Sequence, residues 1–175
     1  MSLPTDTPAL VSTPRRLRSS DRRAILSHLL RLSDGDRQMR FCHVLSDDCV
    51  RSYVERVDFD RDICIGVFDA KANLVALVQG FTYEENGARL MEAAFSTDET
   101  MRRRGLGTLL FAEITDCALV AGVHRVIAQC LAGNRPMRML LLAAGATCEL
   151  EDGEVVGHLH PASMVRPCAI DSARP

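Results

Sequence analysis

The segment Arg102-Arg103-Arg104-Gly105-Leu106-Gly107-Thr108 combines residue types and spacing that can do chemistry. Its two glycines let a backbone approach a ligand closely, and the free N–H groups of a helix starting there attract phosphate oxygens. Three successive arginines add positive charge at the same point, as anion ligands or as solvated loop residues. A pyrophosphate fits such a segment. A dinucleotide loop would carry a third glycine where this chain has Leu110, and a P-loop would follow glycine with lysine, which neither Gly105 nor Gly107 does.

Glu92 is the second candidate, an acid inside the apolar run Arg89 to Thr97. An acid there is costly unless it is exposed or used, and burial would raise its pKa toward that of a general base. The competing reading turns it to solvent or pairs it with an arginine. Asn134 reads equally as a ligand contact or as a plain helix N-cap. His28, His43, His124, His158 and His160 have no motif context and read as structural or solvated. The 7 cysteines (42, 49, 64, 117, 130, 148 and 168) are scattered singly, without C-x-x-C or a histidine at ligand spacing, so no metal site is expected and free thiols are.

The elements that must position these residues follow from periodicity. Arg15 to Arg18 predicts a short strand, and Ser20 or Asp21 caps a helix with Ile25, Leu29 and Leu32 on one face. A second helix is expected from Asp47 to Val57. The charges from Asp47 to Asp62 read as a solvated face, or as an acidic rim that draws in a cation. Ile63 to Phe68 and Leu74 to Phe81 predict a hairpin around Asp69-Ala70-Lys71-Ala72-Asn73, and Arg89 to Thr97 a third, central strand buried on both faces. Helical spacing resumes from Leu106 to Ala121. A strand from Val123 to Leu131, a helix from Asn134 to Ala144 and a closing hairpin around Asp152-Gly153 complete the chain. The expected order is strand, two helices, three strands, helix, strand, helix, two strands: an α/β domain with a mixed sheet.

Arg-x-x-Gly-x-Gly after an extended strand resembles the signature of the GNAT (Gcn5-related N-acetyltransferase) superfamily. The likeness extends from Glu92-Ala93-Ala94-Phe95-Ser96-Thr97-Asp98 through the loop to Asn134, Met137, Leu140 and Gly145, which resemble the family's second motif. In addition, Leu32-Ser33 through Arg37, Arg40 and Phe41 resembles a motif of bacterial protein-lysine acetyltransferase domains. The resemblance implies a single GNAT-like domain over residues 15–160, with a flexible segment at 1–14 and a tail at 161–175. Its central sheet would have about seven strands, mostly antiparallel, flanked by helices and splayed between strands 4 and 5. It further implies acetyl-CoA as acyl-donor co-substrate, its pantetheine held by backbone groups of Phe95, Ser96 and Thr97, with Asn134 contributing. The pyrophosphate would lie on Arg102, Arg103, Arg104, Gly105, Leu106, Gly107 and Thr108. Glu92 would be the catalytic base for direct attack by an amine, small or on a protein lysine, in a ternary complex. One departure stands out: where many members carry a tyrosine that protonates the thiolate, this chain has Leu141, and Ala146 replaces the usual aromatic. That departure favours an alternative, a non-catalytic acyl-CoA-binding sensor.

Composition agrees with one globular domain. The chain has 175 residues, 47% hydrophobic and 25% charged, long enough to bury one core. A net charge of -2 gives no general attraction to nucleic acid or membrane, and no apolar run reaches the ~18 residues of a membrane span. The expected compartment is the cytoplasm, with a homodimer left open.

Overall fold

A computed structural model describes residues 11–164. Residues 1–10 and 165–175, which hold most of the expected flexible segment and tail and Cys168, lie outside the described residues. Within the expected N-terminal segment, Val11 bridges Asp69, and the Ser12 N–H donates to the Phe68 carbonyl at 2.8 Å.

The first strand, β1 (Arg15–Arg16), leads through a short turn into α1 (Arg22–Arg31). Next comes a helix that periodicity does not predict, α2 (Asp34–Phe41), followed by α3 (Asp47–Glu55). Three helices therefore precede the hairpin, not two. The cause is local: the Ser33 hydroxyl accepts from the Asp36 N–H at 3.2 Å, so Ser33-Asp34-Gly35-Asp36 starts a helix too short to show apolar periodicity.

The remaining elements are β2 (Ile63–Phe68), β3 (Leu74–Glu85), β4 (Ala88–Thr97), α4 (Leu106–Val120), β5 (Arg125–Leu131), α5 (Arg135–Ala143), β6 (Thr147–Glu151) and β7 (Glu154–Leu159). They form one seven-stranded sheet in the order β1-β2-β3-β4-β5-β7-β6. All neighbours are antiparallel except β4 and β5. Apolar side chains cover both faces. Met91, Leu110, Phe111, Ile114, Val126 and Leu141 pack on the α4 face, and Ile25, Leu29, Val50, Val54 and Leu77 on the α1–α3 face.

The parallel pairing of β4 with β5 covers only Leu90 to Glu92 against Arg125 to Ile127, although β4 continues to Thr97 and β5 to Leu131. Beyond Glu92 and Ile127 the two strands part. This is the splay between strands 4 and 5, and it leaves the inner edges of Ala93–Thr97 and Ala128–Leu131 without a ladder between them.

Candidate active site

Glu92 stands at the last residue pair before the strands part, so its strand position sets it at the mouth of the gap. Its side chain is exposed, not buried. This corrects the expectation of a desolvated acid: the helices over this face leave a space between them and the sheet, and the carboxylate lines that open cavity of about 780 Å³. The wall combines Arg40 and Phe41 of α2, Tyr53 of α3, Phe81 of β3, and Gln129 and Glu154 from β5 and β7. Asp48 of the charged stretch also lines it. The cavity occupies the α1–α3 face, because Phe81 and Glu92 are register partners and same-face neighbours.

A buried polar network braces one wall. The Arg40 guanidinium donates to the Tyr53 hydroxyl and to Gln79 Oε1, each at 2.8 Å, and the Tyr53 hydroxyl donates to the same Gln79 oxygen at 3.0 Å. The guanidinium also lies over the rings of Phe41 and Tyr53, at 4.8 and 5.7 Å from their centroids. Burial pushes the Tyr53 phenol above its ordinary pKa, and Arg40 offsets only part of that. Across the cavity, the Gln129 amide donates to the Glu154 carboxylate.

The glycine loop forms a helix start. Gly105 is the residue before α4, with φ 77°, and Arg103 also takes a positive φ of 58°. The first-turn N–H groups of Leu106, Gly107 and Thr108 precede the first intrahelical bond, which the Leu109 N–H makes to Gly105. A Cβ added at Gly107 would meet only a Leu140 methyl at 3.5 Å. Packing therefore does not demand glycine there, and its bareness leaves the surface of the loop open. A diphosphate fits this cradle, and an extended arm fits the gap beside it.

The three arginines divide. The Arg102 guanidinium is ion-paired with Asp36 on α2, whereas Arg103 and Arg104 are exposed and make no ion pair among the described residues. Asn134 acts as the N-cap of α5, its Oδ1 accepting from the Met137 N–H at 3.2 Å. Phe95 turns to the α4 face and stacks on Phe111 at 5.4 Å, while the Ser96 side chain turns the other way, to His28 of α1. Leu141 is 1% exposed and packs in the core against Gly157.

The family model described as acetyltransferase (GNAT) domain matches residues 13–147. The chain belongs to the GNAT family. Solved structures that this GNAT chain resembles include the GNAT domain of S. lividans PAT, at 23% identity over 84% of this chain and 89% of that one, with a TM-score of 0.71. The ribosomal-protein-S5-alanine acetyltransferase from Vibrio fischeri matches at 15% identity over 93% and 94% of the two chains, with a TM-score of 0.67. Spermidine N-acetyltransferase from Vibrio cholerae, in complex with CoA and spermine, matches at 16% identity over 87% and 96%, with a TM-score of 0.62. Membership makes the protein an acetyltransferase whose donor is carried on CoA. Among the described residues no group could hold a metal ion, no helix is long and apolar enough to cross a membrane, and the six cysteines are free.

Periodicity alone misses three residues in or behind the cavity wall, Gln79, Gln129 and Glu154, and the buried His28 beside Ser96. The first three are ordinary strand residues whose role depends on neighbouring strands. Arg40 and Phe41 had a signal, the Leu32 to Phe41 resemblance, although the helix that carries them did not.

Proposed function

We propose that this GNAT chain transfers an acetyl group from acetyl-CoA to a cationic amine by direct attack in a ternary complex, with Glu92 as base. The observation that carries this reading is Glu92 itself, which opens into the cavity at the residue where β4 and β5 part. Bound acetyl-CoA supplies an activated thioester. The backbone of Phe95, Ser96 and Thr97 holds the donor's arm along the gap, and the loop from Arg103 to Thr108, with its α4 N–H groups, holds the diphosphate. Arg102, committed to Asp36, contributes its backbone and fixes the loop. Asn134 acts by starting α5 beside the gap.

An ammonium ion cannot attack, so the acceptor must lose a proton first. Glu92 takes that proton, directly or through one water. Asp48, Glu92 and Glu154 share the cavity with Arg40 and Arg56, and with Arg40 committed to Tyr53 and Gln79 the remaining acidic balance favours a cationic acceptor over an anionic one. Phe41, Tyr53 and Phe81 give its carbon chain an apolar wall. Leu141 can neither donate nor titrate, so water or another side chain supplies the proton that the leaving thiolate takes up. The compartment that suits the free thiols is the cytoplasm.

The test is release of free thiol from acetyl-CoA across a panel of small amines and lysine peptides, beside a thermal-shift titration with CoA. Turnover with small amines assigns a small acceptor, and turnover with peptides alone assigns a protein lysine. A CoA-dependent thermal shift without turnover on either panel would replace the transferase reading with the acyl-CoA sensor.

A further inference from the structure

One buried titratable group has no part in the proposed chemistry. His28 lies on the core-facing stripe of α1 with Ile25, Leu29 and Leu32, and is 0% exposed. Its neighbours on that stripe are aliphatic, and an imidazole in their place is costly unless both ring nitrogens are satisfied. Nε2 is hydrogen-bonded to the Ser96 hydroxyl at 2.9 Å. Nδ1 faces Asp98 Oδ1 at 2.9 Å, an electrostatic contact without the alignment of a hydrogen bond. Asp98 is held in turn by Arg31 at 3.0 Å, and Arg31 also donates to the Leu74 carbonyl at 2.7 Å.

Ser96 and Asp98 bracket the end of the strand half that lost its neighbour. From Ala93 onward β4 pairs with β3 alone, and the facing edge of β5 is equally bare. Two bare strand edges side by side tend to close and pair. A gap that must admit a ligand therefore has to be held open, and an apolar contact, which has no preferred direction, does this poorly. A buried directional hydrogen bond fixes one arrangement against its alternatives. The chain Arg31–Asp98–His28–Ser96 ties this half of β4 to α1, a rigid helix on the sheet face away from α4.

We propose that His28, through Ser96 and Asp98, is a positioning residue that keeps the β4 edge open for the acyl donor, so that it sets donor affinity and not the rate of transfer. The proposal rests on the reading of the gap as the donor site. Its test is isothermal titration of CoA to the full chain and three variants, with circular dichroism to verify folding. His28→Gln can still reach Ser96, His28→Asn can reach only Asp98, and His28→Leu fills the volume with neither contact.

The expected result is a CoA dissociation constant raised about three- to tenfold in the Asn and Leu variants and nearly restored in Gln, the scale of one net hydrogen bond. The same variants should raise the KM for acetyl-CoA more than they lower kcat. A merely structural histidine would lower Tm in all three without separating Gln from Asn. If Leu fails to fold, the Gln and Asn pair carries the comparison. CoA affinity within twofold of wild type in folded Asn and Leu variants would overturn the proposal while leaving the donor site standing. Failure of the wild-type chain to bind CoA at all would overturn the donor-site reading itself.

Discussion

The guanidinium of Arg102, first residue of the glycine loop, is ion-paired with the carboxylate of Asp36 in the first turn of α2. The other end of that helix contributes Arg40 and Phe41 to the cavity, so one short helix joins the glycine loop to the cavity wall. The pair also separates the arginines by role. Arg103→Ala and Arg104→Ala are expected to weaken CoA binding about three- to tenfold each and to flatten its salt dependence, because these cations are free to face phosphate. Arg102→Ala should leave the salt dependence unchanged. Titrating CoA at low and high salt checks the division.

Gly107→Val is expected to fold, since a Cβ there meets only a methyl at ordinary contact distance, and to weaken CoA binding strongly by crowding the phosphate cradle. Gly105→Ala should behave in the opposite way. At φ 77° a side chain is strained, so the cost of about 1 kcal/mol should fall on stability first. Thermal unfolding with and without CoA distinguishes the two. An unchanged CoA affinity in folded Gly107→Val would end the assignment of the loop.

Glu92→Gln is expected to keep CoA affinity and to lower kcat by about 100- to 10,000-fold, the usual loss on removing general acid–base help. Because Glu92 lies open to the cavity, part of its role can pass to water, which points to the lower end of that range. A near-normal rate at neutral pH removes Glu92 as the base.

Leu141→Tyr should not create an acid. The side chain is in the core, and a Cβ built at Gly157 would lie 2.9 Å from both Leu141 methyls, so the site has no spare volume. The added ring and hydroxyl should cost about 1 to 3 kcal/mol of stability without raising the rate. In the wild type, rate against pH should rise and then plateau. A falling alkaline limb would reveal another protein acid.

The pH dependence of stability should carry the mark of Asp98. Burial alone would raise its carboxyl, but the facing His28 ring and the hydrogen-bonded Arg31 outweigh burial and hold it below its ordinary value. With a folded pKa below the unfolded ~3.9, its contribution is complete above about pH 4 and is lost as pH falls through the folded value. Asp98→Asn should therefore be less stable than wild type at neutral pH, with the difference narrowing below about pH 4. Denaturant midpoints at several pH values measure it.

Much of the fold was legible because its signals are local. Apolar periodicity marked α1, α4 and α5, turn residues marked the hairpins, and a glycine pair after a strand marked the helix start that faces phosphate. Family resemblance supplied the splay, and an acid inside an apolar strand singled out Glu92 as a candidate. The α2 helix stayed hidden, since its eight residues hold only two apolar side chains, Met39 and Phe41, and these are not at helical spacing. Strand alternation told which residues share a face of the sheet with Glu92, but not whether anything covers that face. Only the tertiary structure decided that Glu92 is open to a cavity, that Leu141 is sealed in the core, and that Arg102 belongs to Asp36. His28 and Ser96 show the reason most directly: they are 68 positions apart, and a hydrogen bond across that separation leaves no trace in local pattern. Secondary structure is written in neighbouring residues, whereas burial, pairing and the shape of the cavity depend on segments that meet only when the chain has folded.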